Sequence, residues 1–145
     1  MESNSKKYNI PEDDNHLPVV NEAASVYFTV ANAQHGRYYI KMLEDTVRLN
    51  DDIIADWLNI TPRTYRNYKA KDSTLKPNMK EHVIMLLSLY EHGEDVFSGV
   101  GRFEKWLSTP NVLLDNTAPL HFMNTISGIQ MIDDRLTALE YGENV

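Results

Sequence analysis

The chain of 145 residues contains no cysteine. This excludes a disulfide scaffold, thiolate metal sites and cysteine nucleophiles, and it fits a reducing compartment such as the cytoplasm. No apolar run approaches the roughly 18 residues that a membrane-crossing helix needs. The opening Met1-Glu2-Ser3-Asn4-Ser5-Lys6-Lys7 has no apolar stretch behind it, so no secretory signal is expected. No segment alternates apolar and polar residues over a useful length, and no sheet is expected. Internal repeats and low-complexity tracts are missing as well. What is present is 42% hydrophobic and 24% charged, an ordinary composition for a folded chain. At this length a chain buries about 68–70% of its unfolded surface, enough for a sizeable core.

Signs of catalysis are also scarce. The histidines are His16, His35, His82, His92 and His121, and none belongs to an H-E-x-x-H pair or another recognised metal spacing. Glu81-His82 and Glu91-His92 look alike, but their apolar neighbours read as a core helix with a polar edge. Gly99-Val100-Gly101 lacks the third glycine and the preceding strand of a dinucleotide fingerprint, so it reads as a loop. Asp51-Asp52 and Asp133-Asp134 are sequence neighbours, which do not face each other on a helix, so they read as solvated faces rather than acid–base pairs. No G-x-S-x-G elbow occurs. The expectation is a non-enzyme without metal or cofactor.

The formal charge of −7 is unevenly spread. Residues 1–36 carry two basic and five acidic side chains; residues 37–80 carry nine and six; residues 94–145 carry three and eight. The basic island is steepest at 61–80, where Arg63, Arg66, Lys69, Lys71, Lys76 and Lys80 face Asp72 alone. Such an island is either a solvated helix face or an anion-binding surface, and charge alone leaves the two even.

Almost every segment after a polar arm over 1–18 has helical periodicity, so an all-α chain of about seven helices is expected. Helices are predicted over Val20–Ala33, Arg37–Val47 and Asp51–Leu58, then from Thr61-Pro62, where Thr61 suits the N-cap and Pro62 the first helical position. A longer helix, Met79–Phe97, carries a stripe of Val83, Leu86, Leu87 and Tyr90, widened by Ile84 and Met85. A short helix holds Phe103, Trp106 and Leu107, which read as core anchors. A loop through Asp115-Asn116 leads to Pro119–Ile126, and Ser127-Gly128 opens a last helix to Tyr141 with Ile129, Ile132, Leu136 and Leu139 on one stripe.

The pair Asp51–Leu58 and Thr61–Lys71, joined by Asn59-Ile60, has the form of a helix-turn-helix, with Ile60 as the apolar plug and Tyr65 and Tyr68 as the docking face of the second helix. Arg63, Thr64, Arg66, Asn67 and Lys71 then point outward. Arg and Asn are the residue types that bond guanine and adenine bidentately, and Thr can bond a base or touch a thymine methyl. Lys69, Lys71 and Lys76 are placed for phosphates. The bland alternative is a helical hairpin with a basic surface, and the coincidence with the charge island favours DNA.

The most specific pattern is C-terminal. Gly101-Arg102-Phe103-Glu104-Lys105-Trp106-Leu107-Ser108-Thr109-Pro110-Asn111 is followed by Thr117-Ala118-Pro119-Leu120, Ser127-Gly128-Ile129 and Leu139-Glu140-Tyr141-Gly142. This series resembles the toxin-binding domain of Xre/MbcA/ParS antitoxins, with its W-L-x-x-P-N, T-P-L and terminal E-Y-G-like elements. Ile60-Thr61-Pro62-Arg63-Thr64-Tyr65-Arg66 resembles the I-S-x-R-T-L-x-R start of the family's recognition helix, so the resemblance spans about 36–145. Two departures stand out: Leu114-Asp115-Asn116 replaces a glycine-rich turn, and Ala138 stands where an Arg is usual.

The resemblance implies a cytoplasmic type II antitoxin. Such a protein inhibits a cognate RES-domain, NAD-targeting toxin and represses its own operon by binding double-stranded operator DNA, usually as a homodimer. It implies an arm and helix over 1–35, a helix-turn-helix domain over 36–98 and a toxin-binding domain over 99–145. The toxin-facing residues it points to are Arg135 and the end of the chain, Glu140, Tyr141, Gly142, Glu143, Asn144 and Val145. There Tyr141 would give a stiff apolar contact, and the acidic groups would meet cationic side chains. The alternatives are a helix-turn-helix regulator without a toxin, and an interaction module that has lost DNA binding.

Overall fold

The structure is a computed structural model and describes residues 17–32, 36–71 and 74–142. Among these residues the chain is all-α, with seven helices and no strand: α1 (Ala23–Asn32), α2 (Gly36–Thr46), α3 (Asp51–Trp57), α4 (Pro62–Ala70), α5 (Pro77–Phe97), α6 (Val100–Leu107) and α7 (Ile126–Glu140). Short 3-10 turns at Val112–Leu114 and Pro119–Phe122 lie between α6 and α7.

Local chemistry sets the helix ends. Asn50 caps α3 by accepting from the Ile53 N–H, and Asp51 and Asp52 sit in its first turn, where the helix dipole favours negative charge. Thr61 caps α4 by accepting from the Thr64 N–H, with Pro62 at the first helical position, as the sequence predicts. The turn between α3 and α4 uses Asn59 at φ 58°, a left-handed position that Asn tolerates, and the Ile60 N–H closes on the Ala55 carbonyl. Asp115 and Asn116 both adopt positive φ, so the turn without glycine still bends. Predicted starts shift by one to three residues: α2 begins at Gly36 and α5 at Pro77, ahead of the predicted Arg37 and Met79. Helix α1 begins at Ala23, after a turn over 20–21. Over Pro119–Ile126 only the 3-10 turn Pro119–Phe122 forms, and α7 starts at Ile126, capped by Thr125, one residue before the Ser127-Gly128 opening.

Helix α5 is the centre. It packs against α1, α2, α6 and α7, while α4 packs on α3 and α2. Every residue from His82 to Tyr90 is buried. The predicted stripe is therefore a helix buried all round, the form expected when neighbours cover every face. Polar groups on it are met internally: Ser88 Oγ donates to the Ile84 carbonyl. Trp57, Tyr65, Tyr90 and Phe103 are fully buried in one core cluster that spans residues from both sides of the expected 98/99 boundary. Tyr90 meets Phe103 edge-on with centroids 5.1 Å apart, and Trp106, half-buried, stacks on Phe103 at 6.2 Å. Gly93 is required here, because a Cβ at that position would lie 2.5 Å from the Phe103 ring.

The stretch between α6 and α7 is tied to the α3–α5 side by three side chains. Trp57 Nε1–H donates to the Leu120 carbonyl at 2.9 Å, Asn59 Nδ2–H to the Asn124 carbonyl at 2.9 Å, and His82 Nε2–H to the Met123 carbonyl at 2.9 Å. Burial lowers the His82 pKa and outweighs the Met123 carbonyl and Glu81, which favour the charged ring. Gly128, at the third position of α7, sits so close to the Phe122 carbonyl that no Cβ fits there.

Candidate functional site

Two surfaces carry the residues that the sequence singles out. The first is the outer face of α4. The helix is only nine residues long, and helices this short do not hold in water alone. It is pinned from within. Tyr65 is fully buried, and Tyr68 and Ile60 pack against the core as expected for docking face and plug. Burial, first, and the carboxylates of Asp51 and Glu44 push the Tyr65 hydroxyl well above its usual pKa, so it stays neutral.

Arg63, Arg66 and Asn67 are exposed on α4, and Lys71, also exposed, is the residue that ends the helix, with extended backbone. Thr64 is half-buried, and its hydroxyl accepts from Thr61 Oγ1 at 2.9 Å. Lys69 is differently engaged. Its ammonium lies 2.8 Å from Asp51 and 3.5 Å from Glu44, and 5.1 Å from the Tyr65 ring centroid. The hydrogen bond to Asp51 raises its pKa. Two carboxylates therefore meet this charge before any phosphate arrives, and Lys69 ties α4 to α3 and α2. Lys76 is exposed at the start of α5, beside a groove that also includes Ile60, Tyr68 and Asn124.

The second surface is the end of α7. Tyr141 projects with 80% of its surface exposed, and Gly142 follows with φ 77°, its N–H closing on the Leu139 carbonyl. Arg135 is half-buried one turn and a half earlier. Glu143, Asn144 and Val145 lie outside the described residues.

Glu140 is not loose. Its Oε1 lies 2.7 Å from His92 Nε2, and His92 Nδ1 lies 2.6 Å from Asp133 Oδ1. Asp133 corrects the sequence reading: it is buried, 4% exposed, not part of a solvated face. Asn21 Nδ2–H donates to Asp133 Oδ2 at 2.8 Å and to Asp134 Oδ1 at 3.0 Å. A signal for this was present, since Asp133 stands four residues after Ile129 and three before Leu136, on the buried stripe itself. The partner His92 is 41 positions away, and no local pattern connects them.

A second buried carboxylate went unnoticed. Glu104, 6% exposed, accepts on one oxygen from Tyr90 Oη–H at 2.8 Å and from the Arg48 and Leu49 N–H groups at 3.1 and 3.3 Å. It terminates the chain after α2 and holds α6 to it. Among the described residues no group of three or more His, Asp or Glu could hold a metal ion, and no helix is long and apolar enough to cross a membrane.

Residues 92–142 match the family model of the antitoxin Xre/MbcA/ParS C-terminal toxin-binding domain. The match begins inside α5 and ends at Gly142, so it contains His92, Glu104, Asp133 and the α7 terminus. The fold is similar to a chain in the crystal structure of the M. tuberculosis MbcT-MbcA toxin-antitoxin complex, with a TM-score of 0.60 at 16% identity, over 75% of this chain and 96% of that one. No curated protein matches in sequence.

Proposed function

We propose, from a chain whose C-terminal third matches the Xre/MbcA/ParS toxin-binding domain, that this protein is an antitoxin. It binds and inhibits a cognate toxin. The match over 92–142 is the observation that carries this reading. The finer parts are ours as well: the toxin is a RES-domain enzyme acting on NAD, the chain itself is not an enzyme, and the contact is made by the end of α7 with Tyr141 and the residues after it.

The same chain represses its own operon, in our reading, through α3 and α4. What supports this is the exposed set Arg63, Arg66 and Asn67 on one short helix of a basic segment, with Thr64 at its start and the exposed Lys71 at its end. Arg63, Thr64 and Asn67 reach base edges near the N-terminal end of α4, and Lys71 reaches a phosphate. Lys69 sets the orientation of α4. A homodimer would present two such helices about one DNA turn apart.

The test is co-expression with the adjacent open reading frame, affinity purification and an NAD-consumption assay. A stable complex that consumes NAD only after this chain is removed is the expected result. A neighbour that fails to bind, or binds without loss of activity, overturns the antitoxin reading and leaves a helix-turn-helix regulator.

A further inference from the structure

The His92 bridge joins three separate parts of the chain. His92 comes from α5, Asp133 and Glu140 from α7, and Asn21 from the segment before α1. Both ring nitrogens face carboxylate oxygens at 2.6 and 2.7 Å. A neutral imidazole has one N–H and would meet one of these oxygens lone pair to lone pair. The arrangement is that of an imidazolium. Its surroundings hold it so: among the described residues the cleft beside it, about 310 Å³, is lined by Glu91 and Asp95 of α5 and Asp133 and Glu140 of α7, with no Lys or Arg, while residues 17–20 bring no charge. Helix α7 has no basic residue in its last turn and ends on Glu140, whose charge opposes the helix dipole. The ring supplies the missing positive charge.

We propose that His92 is the positioning residue for the toxin-contacting end of the chain, clamping the last turn of α7 through Glu140 while Asp133 and Asn21 fix the ring. This rests on the reading that the α7 terminus meets the toxin. Tyr141 is the next residue, so the direction in which it projects follows from where Glu140 is held.

The clamp responds to pH with a definite sign. Burial disfavours the charged ring, but hydrogen bonds and charge attraction from Asp133 and Glu140 outweigh it and raise the His92 pKa above its usual value near 6.5. The stabilisation is therefore complete below about pH 6.5 and is lost as pH rises through the raised value. The two carboxylates are not released equally. Asp133 is 5% exposed and also held by Asn21, whereas Glu140 is 43% exposed and can turn to water. The remaining proton stays on Nδ1, and Glu140 is the one let go.

Amide hydrogen exchange of residues 138–142 in the free full-length chain at pH 5.5 and 8.5, corrected for intrinsic rates, tests the clamp without the toxin. Protection is expected to fall about threefold or more at the higher pH. His92→Gln should show the low protection at both values, and His92→Lys, charged throughout, the high protection at both. Glu140→Gln, changed on the exposed side, should lose the pH step without loss of helix content. Equal protection at both pH values in the native chain, or the same step in His92→Gln, overturns the clamp. Inhibition of the co-purified toxin, measured in parallel, should follow the same step. If protection steps and inhibition does not, the clamp stands and the toxin-contact reading of the tail fails. If deleting 141–145 abolishes inhibition but no step appears, the tail reading stands and the clamp fails.

Discussion

At the scale of single residues, the two buried carboxylates do most of the unexpected structural work. Glu104 gathers one hydroxyl and two backbone N–H groups on a single oxygen. Removing it leaves the buried Tyr90 hydroxyl and two part-buried backbone N–H groups without their acceptor, and each unmet buried group costs about 1–3 kcal/mol. Glu104→Ala should therefore lower stability by about 3 kcal/mol or more in urea unfolding, and Tyr90→Phe by about 1 kcal/mol, since the carboxylate keeps two donors. Burial, with the Glu104 bond second, raises the Tyr90 pKa strongly, so the Tyr90 hydroxyl keeps its proton. The exposed residues of α4 carry the opposite kind of expectation. Arg63→Ala and Asn67→Ala should relax sequence preference in DNA binding with little change in stability. Lys71→Ala should weaken all sequences alike and flatten the salt dependence by about one unit. Unchanged binding and salt slope in all three would show that α4 is not the recognition helix. The sequence displayed the α4 residues because helical spacing and charge are local properties. Glu104 and Asp133 were hidden because their partners lie 14 to 112 positions away, and only the fold brings those groups within reach.

At the scale of elements, the irregular stretch between α6 and α7 is held more firmly than its lack of regular structure suggests. Periodicity signals a helix well but describes a 3-10 turn badly, which is why Pro119–Ile126 was legible only as a vague apolar segment. Its conformation depends on Trp57, Asn59 and His82 reaching its carbonyls from another part of the chain. Trp57→Phe keeps an aromatic ring in the core but deprives the Leu120 carbonyl of its donor. A loss of about 1–3 kcal/mol is expected in thermal or urea unfolding. Gly128→Ala should cost at least as much, because the added methyl meets the Phe122 carbonyl and forces α7 away from this turn. Both variants should leave helix content unchanged by circular dichroism below the transition. The glycine itself was visible in the sequence as the opening of the last helix; the carbonyl that makes it necessary was not.

At the scale of the whole molecule, the two proposed activities sit on different helices, one in the middle of the helical order and one at its end, but share one core. Removing residues 141–145, which spares Glu140, should abolish toxin inhibition while leaving DNA binding and the unfolding midpoint nearly unchanged, because Tyr141 is exposed and α7 is anchored by Ile129, Ile132 and Leu136. Retained inhibition would move the toxin contact elsewhere. The all-α class and the order of helices were legible from apolar spacing, capping residues and breaks. The single core was not, because a helix that serves both sides looks in sequence like an ordinary amphipathic helix with a generous stripe.

That shared helix limits how such a protein can diversify. The stretch from His82 to Tyr90 is buried throughout, and the helix that carries it packs against α1 and α2 as well as α6 and α7. Recombination at residues 98–99 would join an α5 moulded to one ancestor with a C-terminal half moulded to another, and the mismatch would fall in the best-packed part of the molecule. A chimaera joined there should therefore unfold at lower urea than either parent. Novelty has to arise by point substitution at the periphery, on the outer side of α4 and beyond the last turn of α7, where side chains change without disturbing what lies beneath.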